Sequence, residues 1–335
     1  HQMLFWNSIN TALSLLVNTE SRTLNCMPLF HTGGWNVLLT PFLHHGAYTC
    51  LLHKFEPATV LQLLDSERIS IFMGVPTMLR MLAAEPDFDQ LDLSHLHYVI
   101  VGGEPMPIEL IERWHAKGVP IRQGYGMTEV GPNLTSLHQD DAIRKIGSIG
   151  RPNFYVQTRV VDEQGQRVAP HTTGELQLKG PMTTPGYWRN AEATAQSFQD
   201  GWFRTGDLVR EDEEGFLYVV DRIKNMFISG GENVYPAEVE RVLLEHEAVA
   251  EVIVMGVADA RWGEVGLAFI VPSSPLTDQT TLLTTLQAYA QQHLAKFKVP
   301  KHWRFLRALP KNDTGKYDRK ALAQQYQAWS HDSPK

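Results

Sequence analysis

HYVIVGGEPMPIELIERWHAKGVPIRQGYGMTEVGP, residues 97–132, decides the fold. A short apolar run ends in the pair Gly102-Gly103, the segment PIELIERWHAK then has helical spacing, and a second apolar run, VPI, leads into RQGYG. Upstream the same alternation reads ATVLQLLDSERI as helix, SIFMGVP as strand and TMLRMLAAE as helix. Strand and helix therefore alternate through residue 124, which calls for a parallel, doubly wound α/β sheet. Such sheets place ligands outside the carboxyl ends of their strands, where GGEP and GYGMTE both fall.

Downstream the pattern changes. From about Phe154 to Val220 the strands YVQTRVVD, GELQLKG and FLYVVDR are separated by the turns EQGQ and EDEEG, which reads as a small β subdomain. Beyond Lys224 come the helix PAEVERVLLEHE, strands AEVIVMGV and GLAFIVP, the helix LLTTLQAYAQQHL and the strand HWRFLRALP, a compact α/β lid. The expected domains are 1–223 and 224–335.

Composition narrows the function classes. A chain of 335 residues, 43% of them hydrophobic, builds a sizeable core, and its length suggests two domains. A net charge of -7 argues against a general nucleic-acid binder. Cys26 and Cys50 have neither C-x-x-C spacing nor a disulfide framework around them, so a reducing cytoplasm is expected. No apolar run of about 18 residues marks a membrane span, and LSLLV is too short for a signal peptide. Several motifs fail on inspection. NDTGKY lacks the earlier glycine and the Ser or Thr of a phosphate-binding Walker loop, GYGMTE breaks the dinucleotide fingerprint at Glu129, and GSIG is no nucleophile elbow. The adjacent His44 and His45 are expected to point apart on a strand and offer no zinc geometry.

Five segments carry the chemistry. In GWFRTGDLVREDEEGFLYVVDRIKNMFISGGENVYPAEVE, residues 201–240, Asp207 ends a Thr205-Gly206 turn and Arg222 follows FLYVVD, so an anionic acceptor and a fork-shaped donor converge in a way that suits a vicinal diol. RQGYGMTEVGP supplies glycines that permit close backbone approach and a carboxylate, Glu129, of the hard type that magnesium takes. HYVIVGGEP ends in Gly102-Gly103-Glu104. PLFHTGGWN carries Phe30 and His31; by its chemistry His31 is open to being a general base, a packed histidine or a pocket wall. LPKNDTGKYDRKAL puts Lys316 beside a glycine, where it can reach into a cleft and neutralise charge.

Together these segments resemble the AMP-forming acyl-CoA synthetases of the adenylate-forming superfamily, over nearly the whole chain. The resemblance implies a large adenylation domain with a mobile C-terminal lid, and an acid–CoA ligase using ATP, Mg²⁺ and coenzyme A. It implies that Gly102, Gly103, Glu104, Gly124, Tyr125, Gly126, Thr128, Asp207 and Arg222 bind the nucleotide, with Tyr125 stacked on adenine, Thr128 on the α-phosphate and Glu129 on the metal. Lys316 becomes the adenylation lysine, acting with Thr128, Glu129 and His31. Lys224 becomes the hinge, and Ser229, Gly230 and Gly231 border the channel for the CoA thiol. Phe30, His31, Trp35, Val37, Gly102, Pro132 and Asn133 become the acyl pocket, a lining that favours a medium-chain, cyclic or aromatic acid. By the same resemblance a Ser/Thr/Gly-rich phosphate loop and an N-terminal subdomain are expected ahead of His1. Rival readings are a carrier-protein-loading adenylation domain, a luciferase-like oxygenase, and a silent nucleotide- or acyl-binding fragment.

Overall fold

The computed structural model describes residues 1–103, 106–275, 278–311 and 317–332, with side chains through Tyr326 in the last helix. The chain divides into two compact units, one of residues 1–205 and 209–219, the other of 206–208 and 220–335. The boundary expected at Lys224 lies inside the second unit.

The first unit opens with α1 (Gln2–Leu15), β1 (Arg22–Asn25), a π-helical turn (Gly33–Val37), α2 (Leu39–His44), β2 (Tyr48–Leu51), α3 (Pro57–Ser66), β3 (Ile71–Gly74), α4 (Pro76–Ala83), β4 (Tyr98–Val101), α5 (Ile108–Ala116), β5 (Ile121–Met127), β6 (Gly131–Ser136) and β7 (Arg151–Pro152). These strands form one sheet in the order β2-β1-β3-β4-β5-β6-β7. It is parallel from β2 to β5 and antiparallel through β6 and β7. The short central strands IFMG and YVIV are buried at every position, as expected of parallel strands covered on both faces. Alternation sorts their side chains: Phe72, Val99 and Val101 pack with α3, α4 and α5, whereas Ile71, Met73, Tyr98 and Ile100 pack against Leu15, Val37 and Phe42. Trp114 and Phe88, both fully buried and edge to face at 5.0 Å, anchor the first layer; burying each such ring stabilises by roughly 1.5–3 kcal/mol.

Local chemistry sets the helix ends. Glu56 accepts from Thr59 N at 2.7 Å ahead of Pro57, a first-turn cap. At the other end of α1, Arg122 Nη2 donates to Ser14 O at 3.1 Å and the Tyr98 hydroxyl donates to Leu15 O, satisfying carbonyls that a helix C-terminus leaves open.

A second sheet follows, built from β8 (Gln157–Val161), β9 (Gly174–Lys179), β10 (Phe198–Gln199), β11 (Trp202–Glu211) and β12 (Leu217–Arg222), with the short α6 (Ala191–Gln196) before β10. The second unit holds β13 (Phe227–Ser229), β14 (Glu232–Val234), α7 (Pro236–Leu244), β15 (Val249–Asp259), β16 (Gly263–Pro272), α8 (Gln279–His293), β17 (His302–Phe305) and α9 (Arg319–Asp332). Its sheet runs β14-β13-β16-β15, with β17 parallel to β16.

Two local expectations are corrected. His44 and His45 close α2 rather than alternating on a strand, and their rings lie 4.8 Å apart. Thr205-Gly206 is not a tight turn: both lie within the ten-residue strand β11, where a φ of +69° at Gly206 bends the strand locally.

Candidate nucleotide- and acyl-binding site

The strand order reverses between β1 and β3, which opens a crevice at the carboxyl edge of the first sheet. Three of the five sequence segments emerge on that edge because β1, β4 and β5 run parallel.

After β1, Asn25 Nδ2 donates to Gly34 O at 2.8 Å and folds the segment back toward the strand. His31 Nδ1 accepts from Gly33 N at 3.0 Å. That bond engages the Nδ1 lone pair and assigns the proton of the neutral ring to Nε2, which suits a hydrogen-bond donor or a wall better than a base. Phe30 is 73% exposed and Trp35 is 44% exposed. Val37 turns inward with Phe42 and Met73. Asn133 on β6 spends its amide on Val37 O at 3.0 Å and Thr11 Oγ1 at 2.6 Å. Two members of the expected acyl lining thus also hold the frame together.

At the ends of β4 and β5, a Cβ on Gly102 would lie 3.4 Å from Gly124 O, so the two backbones pass close together. Gly103 has a φ of +87°. Glu104 lies outside the described residues. The GYGMTE segment is a strand and hairpin tip rather than a loose loop: β5 pairs with β6, and the register shifts between Tyr125 and Met127. At Gly126 a Cβ would sit 2.2 Å from Pro132 O, a contact only glycine escapes. Tyr125 packs, half buried, against the core containing Val130 and Leu134.

Thr128 is exposed at the hairpin tip and Glu129 is half buried beside it. Thr184 N donates to Glu129 O at 2.7 Å, and the Tyr187 hydroxyl donates to Glu129 Oε1 at 3.1 Å. Burial raises the Tyr187 phenol above its ordinary range, and the Glu129 charge adds to the rise. Sequence reading missed Tyr187, which lies 58 positions from its partner. Among the described residues no three acidic, histidine or cysteine side chains gather as a metal cage. A single carboxylate fits Mg²⁺, which keeps waters and takes most of its other ligands from substrate phosphates.

The second unit holds the other candidates. Arg222 Nε lies 2.9 Å from Asp207 Oδ1, with the Asp207 side chain 4% exposed and that of Arg222 50% exposed. The expected meeting of carboxylate and guanidinium is present, and Ile223 N donating to Gly206 O at 2.9 Å keeps the two segments adjacent. Lys224 follows in an exposed turn and, with Asn225, Tyr317, Asp318, Arg319 and Lys320, lines an open pocket of about 500 Å³. Ser229 pairs with Glu232 across a two-residue hairpin in which Gly230 and Gly231 have φ of +63° and +89°. Space at Gly231 is open, whereas a Cβ on Gly230 would meet the Trp262 ring at 2.8 Å. Lys316 lies outside the described residues.

A parallel sheet with its motif loops on one edge, joined in sequence to a small α/β unit, defines a nucleotide-binding class of fold. The chain belongs to the AMP-binding enzyme family, whose main domain it matches over residues 1–188 and whose C-terminal domain it matches over residues 238–316. It is 40% identical over 317 residues to a feruloyl-CoA synthase from Amycolatopsis, covering 94% of this chain and 64% of the relative. It is 40% identical over 314 residues to an indoleacetate–CoA ligase from Aromatoleum aromaticum, covering 93% of this chain and 61% of the relative. Among solved structures it is similar to o-succinylbenzoate CoA synthetase from Bacillus subtilis, seen with its acyl-adenylate intermediate, at 36% identity and a TM-score of 0.87 over 96% of this chain and 64% of that one. The same enzyme with ATP and magnesium matches at 35% identity and a TM-score of 0.86, over 96% of this chain and 65% of that one. The chain therefore spans a little under two thirds of the relatives it matches. No described helix is long and apolar enough to cross a membrane.

Proposed function

We propose that this chain forms the greater part of an ATP-dependent acid–CoA ligase that activates an aromatic carboxylic acid as its acyl-adenylate. The observation that carries the reading is the emergence of PLFHTGGWN, Gly102-Gly103 and GYGMTE on one carboxyl edge of a parallel sheet. The relatives support the acid class, since feruloyl-CoA synthase and indoleacetate–CoA ligase are both named for aryl acids. The exposed rings of Phe30 and Trp35 give a planar acid something to stack against.

A carboxylate is a poor electrophile, and joining it to AMP supplies a good leaving group. In this reading Thr128, at the exposed hairpin tip, donates its hydroxyl to the α-phosphate. Glu129, held by Tyr187, binds Mg²⁺, which when bound neutralises phosphate charge. His31 walls the acid through its Nε2 edge. Asp207, with Arg222 beside it, accepts from the ribose hydroxyls. Lys316 brings positive charge to the attacking carboxylate and the α-phosphate. Lys224 is the hinge that exchanges Lys316 for the Ser229-Gly230-Gly231 turn, beside which the CoA thiol enters to take the acyl group. The free thiols of Cys26 and Cys50 support a reducing, cytoplasmic setting.

Acid-dependent pyrophosphate release from the purified chain, with ATP, Mg²⁺ and a panel of aryl and fatty acids, tests the reading. Release with aryl acids that falls by at least about a hundredfold in Lys316→Ala is expected. Release unaffected by that substitution removes Lys316 from the chemistry.

A further inference from the structure

Helix α7 is capped from a distance. Its own N-cap residue, Tyr235, makes no side-chain cap bond, and Pro236 follows with no N–H to satisfy. Asp221, 16 positions before Ala237 and 5% exposed, fills the place: its Oδ2 accepts from Ala237 N at 2.8 Å. A carboxylate suits the positive end of a helix dipole. The helix is itself well anchored, with Val239 and Leu243 fully buried and Glu240 Oε1 accepting from Val254 N at 2.7 Å.

The other oxygen of the same carboxylate holds the turn that carries Lys224. Asp221 Oδ1 accepts from Arg222 N at 2.7 Å and from Asn225 Nδ2 at 3.1 Å. Arg222 O in turn accepts from Asn225 N at 2.9 Å and Met226 N at 3.2 Å, and Ile223 N donates to Gly206 O at 2.9 Å. Among the described residues, Lys224 is the one member of the stretch 221–226 with no hydrogen bond or ion pair of its own. Its neighbours on both sides are pinned, and its own backbone is left to turn.

We propose that Asp221 is a positioning residue for the Lys224 pivot: one carboxylate keeps the turn closed and docked on α7, and rotation at Lys224 requires its bonds to let go. The catalytic consequence rests on the ligase and hinge reading above; the tether does not. Arg222 and Ala237 lie on opposite sides of the pivot in sequence yet share one acceptor group, so rotation about Lys224 draws them apart. Charge-assisted hydrogen bonds to a buried carboxylate are costly to stretch part-way, which favours two discrete positions over a continuum. Asp221 therefore acts through Lys224 rather than on the nucleotide or the acid.

Hydrogen exchange of the 335-residue chain, read on peptides covering 220–228, 234–244 and 263–272, separates the tether from general stability. Asp221→Asn keeps one acceptor and turns an N–H toward a donor. In that variant exchange is expected to quicken by about tenfold or more over 220–228 and 234–244. In Asn225→Ala, which removes one bond and leaves the helix cap, the rise is expected over 220–228 alone. The peptide 263–272, from β16, keeps its rate in both. Unchanged exchange at 220–228, or an equal rise at 263–272, overturns the proposal. The second readout is the ratio of thioester formation from supplied acyl-adenylate to single-turnover adenylation. In both variants it is expected to move at least about threefold from the parent's value, because a looser turn eases one lid position more than the other. Equal changes in both half-reactions also overturn the proposal. A parent chain that releases no pyrophosphate counts against the ligase reading alone, and the exchange comparison then decides the tether.

Discussion

Cys26 shows how firmly the first sheet governs a single side chain. It follows β1 at 8% exposure, and burial pushes its thiol up to about 12. The thiolate is the reactive form, so at pH 8 Cys26 is held almost entirely as the unreactive thiol. Cys50 on β2 is less enclosed, and burial lifts its thiol as well, with the Glu67 charge adding to the rise. Iodoacetamide at pH 8 should therefore label Cys50 at least about tenfold faster than Cys26, and raising the pH toward 10 should speed both by increasing thiolate. Peptide mass spectrometry reads the ratio; equal rates would mean that the sheet opens during labelling. The same interior explains Arg122, which lies inside the RQGYG segment yet was passed over in the sequence. Its guanidinium is buried over the Tyr98 ring at 4.8 Å and donates to Ser14 O of α1 and to Leu137 O beyond β6, a use that no spacing rule announces.

Among the elements, the β5–β6 hairpin has little tolerance for a side chain at Gly126. A methyl at Gly126 meets Pro132 backbone atoms at 2.2, 2.3 and 2.5 Å, none of which can swing aside. Gly231, by contrast, sits in a turn with positive φ, and nothing lies within 4 Å of its missing Cβ. Gly126→Ala should destabilise by about 2–4 kcal/mol through overpacking, against about 1 kcal/mol of backbone strain for Gly231→Ala. Urea unfolding of both variants checks the order, and a Gly126 cost no larger than that at Gly231 would remove the steric argument. The strands from Ile71 to Met127 were legible because IFMG and YVIV are continuous apolar runs between helical patterns. Strands β1 and β2 were not, since RTLN and YTCL mix polar residues into four-residue stretches, and buried Thr23 and Asn25 carry no hydrophobic signal. Asp207 and Arg222 could be paired in advance because their chemistries complement each other across one hairpin. Tyr187 and Trp262 could not, because their relation to Glu129 and Gly230 exists only in the folded chain.

At the scale of the whole molecule, the chain crosses between its two units at 205/206, 208/209 and 219/220, close in sequence to Lys224. Asn225 N and Met226 N both donate to Arg222 O, at 2.9 and 3.2 Å, so the turn around Lys224 is held by its neighbours rather than by its own side chain. Lys224→Pro should leave unfolding midpoints nearly unchanged while slowing thioester formation by about tenfold relative to single-turnover adenylation. Rapid-quench measurement of the two half-reactions decides it, and equal rates relative to the parent would take the hinge role from Lys224. A sheet whose strands all point the same way has a reactive rim and a quiet one, and the connection through Gly118 belongs to the quiet rim. Gly118 has a φ of +83° with open space around it, and it precedes the seven residues of β5, which separate it from Thr128 by roughly 20 Å. A fluorophore, affinity handle or fused domain attached there would ride on the back of the sheet, and because loops on the front can change length without disturbing the strands beneath, attachment and the acid preference of the proposed ligase would be engineered independently.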